Sequence, residues 1–121
     1  MILITGYNGF IGSALLNELH TRKHSKVRGS AKQLDKKSVT NTEIVFSGEI
    51  NANTAWGDAL DGCTTVIHTA ALTHQMDKKS GLITLERYRE INTEGTLNLA
   101  KQAAQNGVGR FIFLSSIKVN G

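Results

Sequence analysis

Three glycines at equal spacing, Gly6, Gly9 and Gly12, follow the apolar start of the chain in the segment ITGYNGFIG. A phosphate group binds several backbone N–H donors and the positive end of a helix dipole, and it needs a backbone that side chains do not cover. Glycine leaves the backbone uncovered and also allows a positive φ in a turn. We expect Gly6 to serve the turn out of a strand, Gly9 to lie against a diphosphate, and Gly12 to let the next helix pack closely on the sheet.

The rest of the chain alternates short apolar runs with helical patterns, which is typical of an α/β fold with a parallel sheet. Strands are predicted at residues 1–5, 27–31, 43–47, 65–69 and 110–115. Helices are predicted at residues 10–21, 53–60 and 82–105, the last one ending at Gly107. Right-handed crossovers then give a doubly wound, Rossmann-type sheet of five strands in the order 3-2-1-4-5, with a ligand site at the switch point.

Composition and charge exclude several other classes of protein. The chain has 121 residues, 40% of them hydrophobic and 6% aromatic, so we expect one globular domain with a mainly aliphatic core. The net charge of +4 comes from short basic groups without interleaved aromatic residues, so we expect no nucleic-acid partner. One cysteine and four scattered histidines give no metal-ligand spacing. Because no signal peptide and no membrane-length apolar run is present, we expect a cytoplasmic protein with no membrane partner.

The pattern TGxxGFIG at residues 5–12 resembles the extended branch of the short-chain dehydrogenase/reductase superfamily, the NAD-dependent epimerase/dehydratase family, which handles nucleotide sugars. Three further motifs match this family in the same order along the chain, namely HTAA at 68–71, NTEGT at 92–96 and FLSSIKVNG at 113–121. The resemblance covers essentially the whole chain. It implies that residues 1–121 form an NAD(P)-binding Rossmann domain.

The same resemblance implies a set of site residues. The cofactor-binding residues are Gly6, Asn8, Gly9, Phe10, Ile11, Gly12, Lys32, Glu49, Ile50, Thr69, Ala70, Ala71 and Asn92. Ser116 falls on the family's catalytic serine or threonine, and Asn92 falls near the nicotinamide. His68 is interpreted as a packed core histidine with no catalytic role. Asn120 replaces the tyrosine that usually precedes the final glycine of the motif, which indicates a subgroup.

The end of the second strand indicates which dinucleotide binds. NAD-binding folds place a carboxylate there to accept the ribose hydroxyls, whereas the 2′-phosphate of NADP needs a cation. Ala31 stands at the position of the acid and Lys32 follows it, while Arg28 lies earlier on the strand. We therefore expect NADP rather than NAD. The resemblance also implies that Glu49 accepts a hydrogen bond from the adenine amine and that the N–H of Ile50 reaches the ring.

The resemblance also implies a catalytic pair that this chain does not contain. In the extended family a tyrosine takes a proton from a sugar hydroxyl while hydride passes to the nicotinamide, and a lysine four residues later lowers the pKa of that tyrosine. Neither Tyr7 nor Tyr88 is followed by such a lysine. We therefore expect this chain to be the N-terminal part of a longer enzyme, inactive by itself, with the pair and the substrate domain beyond Gly121.

Three functions remain open for the longer protein. The first is a nucleotide-sugar (UDP-sugar) 4-epimerase or dehydratase, which regenerates its cofactor. The second is an NADPH-dependent reductase of a nucleotide-linked 4-keto-6-deoxy sugar, because SSIKVNG also resembles enzymes of bacterial surface-polysaccharide synthesis. The third is a non-catalytic NADP-sensing protein on the same fold. The resemblance further implies a nucleotide-sugar substrate and allows a homodimer of the longer protein.

Overall fold

One parallel sheet organises the protein in a computed structural model that describes residues 1–22, 26–32, 42–70 and 90–114. In these residues the sheet has five strands, β1 (Ile2–Thr5), β2 (Val27–Ala31), β3 (Thr42–Phe46), β4 (Thr65–His68) and β5 (Arg110–Phe113). Their order is β3-β2-β1-β4-β5, and all neighbouring pairs are parallel. The predicted Rossmann-type fold and strand order are therefore confirmed.

A described helix lies between three of the four consecutive pairs of strands, which suits the crossovers of a parallel sheet. The described helices are α1 (Phe10–Thr21), α2 (Gly57–Leu60) and α3 (Gly95–Gln105), and one π-helical turn (Glu90–Glu94) runs directly into α3. The start and end of α1 agree with the prediction. The predicted start of the long helix at residue 82 lies outside the described residues. Its end at Gln105 is confirmed, because Gly107 has a φ of 78° and the N–H of Val108 returns to the carbonyl of Ala103.

Side chains from α3 replace the first turn of the predicted second helix. That helix was expected from residue 53, but α2 begins at Gly57. The amide of Gln102 accepts from the N–H of Trp56 at 2.8 Å and donates to the carbonyl of Thr54 at 2.8 Å. Asn98 donates to the same Thr54 carbonyl at 2.9 Å. Because these amides satisfy the backbone of the segment, it needs no helical hydrogen bonds of its own.

The core lies on both faces of the sheet, because side chains along a strand point alternately to either face. On β1, Leu3 packs toward α2 and α3, whereas Ile4 packs toward α1. Most core residues are aliphatic, as predicted. The largest fully buried side chain among the described residues is nevertheless that of Trp56, and Tyr7 is also buried.

Five of the ten strand bounds agree with the prediction, and four others differ from it by one residue. β1 starts at Ile2, β3 is shifted to Thr42–Phe46, and β4 stops at His68. The N–H of Thr69, just after β4, still reaches the carbonyl and the hydroxyl oxygens of Thr5 at the end of β1. β5 stops at Phe113, and Ser115 lies outside the described residues.

Candidate functional site

Gly6 and the segment after β4 are packed against each other at the carboxyl end of the sheet. Gly6 leaves β1 with a φ of 69°, a conformation that side chains disfavour. A Cβ on Gly6 would lie 2.9 Å from the Cα of Ala70. The hydroxyl of Thr69 donates to the carbonyl oxygens of Thr5 and Gly6. The structure therefore brings Gly6, Thr69 and Ala70 together, as their predicted common role requires.

Gly12 is needed for close packing, although against the loop rather than the sheet itself. A Cβ at Gly12 would lie 2.0 Å from the carbonyl oxygen of Gly6, far inside a van der Waals contact. The hydroxyl oxygen of Thr69 would lie 3.0 Å from it. The first turn of α1 can therefore rest on the β1 loop only because residue 12 has no side chain.

Gly9 differs from its two neighbours because the fold does not require a glycine there. It is the N-cap of α1, with φ −79° and ψ 177°, which any residue can adopt. Apart from its two chain neighbours, the one described atom within 4 Å of the position of a Cβ is the Gly6 carbonyl oxygen, at 3.4 Å. A glycine at this position thus leaves an uncovered surface beside the start of the helix.

The first turn of α1 presents features that suit an anion. The N–H groups of its first residues have no partner within the helix, and Gly9 supplies no side-chain cap. No acidic residue lies in this turn to offset the positive end of the helix dipole. Asn8, Phe10 and Ile11 are exposed beside these groups. A phosphate group would find both donors and a favourable field here.

A buried hydrogen-bond network lies beneath the loop. The Thr5 hydroxyl lies 2.6 Å from Nδ1 of His68, and it accepts the N–H groups of Thr69 and Ala70 at 3.1 and 3.2 Å. Its own proton must then go to Nδ1, since an imidazole proton there would give one oxygen a third donor. We therefore assign the His68 proton to Nε2, which lies 3.2 Å from the hydroxyl of Thr96.

Burial keeps His68 neutral. The side chain has no exposed surface, and its ring stacks on Phe113 with ring centroids 5.6 Å apart. Desolvation lowers the pKa of His68 to about 4. Its neutral ring joins β1, β4 and the start of α3, which agrees with the interpretation of a packed core histidine. The sequence motifs contained Thr5 and Thr96, but their types alone did not reveal that they share this imidazole.

Two further predicted residues, Lys32 and Glu49, meet at the ends of β2 and β3. Nζ of Lys32 lies 3.3 Å from a carboxylate oxygen of Glu49. The next residue, Ile50, is buried, and its Cγ2 would lie 2.8 Å from a Cβ on Gly95. The loop after β3 is therefore held close to the start of α3.

Arg28, the cation that lies earlier on β2, is bound away from the carboxyl edge of the sheet. The residue is only 7% exposed, and its side chain reaches the end of α2. The guanidinium donates to the carbonyl oxygens of Ala59 and Asp61, both at 2.7 Å, and to a Glu43 carboxylate oxygen at 3.1 Å. Arg28 thus satisfies the last carbonyl groups of a short helix, which leaves Lys32 as the cation of this strand nearest the carboxyl edge.

The remaining predicted residues divide between the described and undescribed segments. Asn92 lies in the π-helical turn before α3 and is partly buried. Ala71 and Ser116 lie outside the described residues.

Within the described segments, no group of three or more His, Cys, Asp or Glu side chains could hold a metal ion. No helix in those segments is long and apolar enough to cross a membrane.

Comparisons with known proteins find similar sequences and similar solved structures. The model of the NAD dependent epimerase/dehydratase family matches residues 2–121. The UDP-glucose 4-epimerase of Vibrio cholerae is 45% identical over 99% of this chain and 36% of that protein. A 3-beta-hydroxysteroid dehydrogenase of Mycolicibacterium neoaurum is 32% identical over 98% of this chain and 32% of that protein. The solved structure of MoeE5 in complex with UDP-glucose and NAD has a TM-score of 0.77 and 28% identity, over 99% of this chain and 38% of MoeE5. The chain thus spans about a third of the length of these curated relatives.

Proposed function

Because the chain belongs to the NAD-dependent epimerase/dehydratase family, we propose that residues 1–121 are the cofactor-binding domain of a nucleotide-sugar 4-epimerase or dehydratase that acts on a UDP-sugar. The observation that carries the proposal is the uncovered backbone at Gly9, beside the unsatisfied first turn of α1. The greater identity to the UDP-glucose 4-epimerase, 45% against 32% for the steroid enzyme, favours a nucleotide sugar as substrate.

Each part of the site has a role in this proposal. The N–H groups at the start of α1 bind the diphosphate, and Thr69, Ala70 and Ala71 line the dinucleotide. Asn92 lies toward the nicotinamide, and Ser116 hydrogen-bonds the reacting sugar oxygen to hold it in line. The bound nicotinamide supplies the acceptor and donor of hydride, while the protein supplies orientation and electrostatics.

Binding of the dinucleotide tests the proposal directly. Isothermal titration calorimetry of the chain with NAD and with NADP should show one site, since the chain contains the whole diphosphate loop at residues 6–12. Circular dichroism on the same sample establishes that the chain is folded. A folded chain that binds neither dinucleotide would refute the assignment as a cofactor-binding domain.

We also propose that the domain prefers NADP to NAD, on the basis of Lys32. This ammonium group follows β2 directly, where the 2′-phosphate of NADP lies in dinucleotide-binding folds, and Ala31 offers no carboxylate. Lys32→Asp should weaken NADP binding more than NAD binding. Lys26→Asp makes the same charge change before the amino end of β2 and is the matched control. Equal losses for both dinucleotides in Lys32→Asp would contradict the preference.

A second function follows from the same lysine. An NADP preference favours a reductase of a nucleotide-linked 4-keto-6-deoxy sugar, because net reduction consumes NADPH whereas epimerisation regenerates its cofactor. Turnover by the whole protein distinguishes the two functions. An epimerase converts UDP-glucose or UDP-N-acetylglucosamine without added cofactor, whereas a reductase oxidises NADPH in proportion to the 4-keto sugar supplied.

A further inference from the structure

Lys32 and Glu49 form an ion pair where the chain leaves the neighbouring strands β2 and β3. β2 and β3 pair in parallel from Val27 opposite Thr42 to Ala31 opposite Phe46, so the chain leaves both strands at the same edge of the sheet. The Lys32 Nζ to Glu49 Oε1 distance is 3.3 Å. The cation that would meet a 2′-phosphate is therefore already engaged by a carboxylate.

The backbone that carries Glu49 is held in place on both sides. Before it, the N–H of Ser47 donates to the carbonyl of Ala31 at 2.9 Å, which extends the pairing of the two strands. At the residue itself, the carbonyl of Glu49 accepts the hydroxyl of Thr54 at 2.7 Å. After it, Ile50 is buried against Gly95. The Glu49 carboxylate therefore stays within reach of Lys32 when the lysine changes partner.

The pair itself is easily opened. Both side chains are about half exposed, 57% for Lys32 and 47% for Glu49. Ion pairs of this exposure stabilise a protein only weakly, because solvent screens the charges and ordering two long side chains costs entropy. A 2′-phosphate carries more charge and more acceptor oxygens than one carboxylate, so it can take the ammonium group from Glu49.

We infer that Glu49 sets the nucleotide specificity of the site through Lys32. The inference rests on the proposed function and goes beyond it by assigning a specificity-determining role to the carboxylate. With NADP, the lysine exchanges its carboxylate for the phosphate, and the nearby negative charge of Glu49 repels that phosphate. With NAD, the pair stays closed and neutral. Glu49 therefore reduces the preference for NADP that Lys32 alone would give.

Calorimetric affinities for NADP and NAD test this in four forms of the chain: wild type, Glu49→Gln, Lys32→Met and the double variant. Glutamine keeps the size of Glu49 and an acceptor oxygen while removing the charge. Glu49→Gln should raise the ratio of NADP to NAD affinity by about three- to tenfold, since it removes both the competing partner and the repulsion. Lys32→Met should remove the cation that attracts the 2′-phosphate while keeping the negative charge of Glu49 nearby, and so shift the ratio toward NAD.

The double variant isolates the exchange of partners. If the lysine transmits the effect, Glu49→Gln should change the ratio less in the Lys32→Met background than in the wild type, because only direct repulsion remains. A Glu49→Gln variant that loses affinity for both dinucleotides equally would overturn the inference, because Glu49 would then contact only the shared adenine. That outcome would leave the proposed function intact. A folded wild-type chain that binds neither dinucleotide would instead refute the proposed function, and the inference with it.

Discussion

Acidification should destabilise the fold through His68, because a second proton on the buried ring would disrupt a hydrogen bond and create a charge without water around it. Nδ1 of His68 accepts the Thr5 hydroxyl at 2.6 Å, so protonation at that nitrogen would place two donors against each other. Thr5 could reverse its hydroxyl only by giving up an acceptor site that the N–H groups of Thr69 and Ala70 use. The charged ring would also lose water on all sides, since His68 has no exposed surface.

The size of the effect follows from the shift in pKa. The pKa falls from an ordinary 6.5 to about 4 in the folded protein. The unfolded chain therefore binds more protons than the folded chain between these values, and the free energy of unfolding rises with pH. The stabilisation is fully present above pH 6.5 and is lost as the pH falls toward 4. It amounts to about 3 kcal/mol over the whole window and about 2 kcal/mol between pH 8 and pH 5.

Urea denaturation at pH 8 and pH 5 measures this contribution. His68→Gln keeps a neutral polar side chain but cannot titrate, so it should be less stable than the wild type at pH 8 and lose about 2 kcal/mol less on acidification. With a urea m value of about 1–3 kcal/mol per molar, the midpoints should differ in their pH shift by about 1 M. His20→Gln, at the half-buried end of α1, is the matched histidine control. Equal pH shifts in the wild type and His68→Gln would refute the account of the buried ring.

Two further substitutions test the packing around the site. Arg28→Met should lower the free energy of unfolding by about 2–3 kcal/mol in urea denaturation, because it leaves carbonyl oxygens at the end of α2 without their donor. The ratio of NADP to NAD affinity should stay unchanged. A changed ratio would indicate that Arg28 acts on the bound phosphate. Gly12→Ala should lower the free energy of unfolding by about 3 kcal/mol or prevent folding, because its Cβ would overlap the Gly6 carbonyl. Gly57→Ala is the control, since it adds a Cβ in open space and should be nearly neutral. Similar stabilities of the two variants would contradict the packing described for α1.

The elements that the sequence predicted well are those that local chemistry determines. The helix α1 follows a glycine-rich turn and has apolar residues four apart, and its bounds agree with the prediction. The end of α3 depends on Gly107, whose positive φ is a local requirement. The strand order was predicted from the doubly wound fold with a central switch point, which the alternation of strands and helices indicates. The roles of Gly6 and Gly12 could be inferred because a turn and a close contact each exclude side chains.

The features that the sequence did not predict depend on contacts between distant segments. Arg28 donates to carbonyl groups at the end of α2, more than thirty residues later in the chain. No local pattern around Arg28 indicates this contact. α2 starts late because Asn98 and Gln102, more than forty residues later, satisfy its preceding backbone. The π-helical turn before α3 likewise has no pattern in the sequence. The pairing of Lys32 with Glu49 requires β2 and β3 to end side by side, which only the assembled sheet establishes.

The most direct test of the phosphate-binding loop is Gly9→Asp, with Gly57→Asp as the control that adds the same charge at the start of α2. Aspartate is a favoured N-cap and suits the φ and ψ of Gly9, so the free energy of unfolding should stay within about 1 kcal/mol of the wild type. The added carboxylate should nevertheless weaken binding of both dinucleotides by about 100-fold or more through repulsion of the diphosphate. Calorimetry of the two variants should therefore show binding by Gly57→Asp and almost none by Gly9→Asp. Unchanged affinity in a folded Gly9→Asp variant would contradict the account.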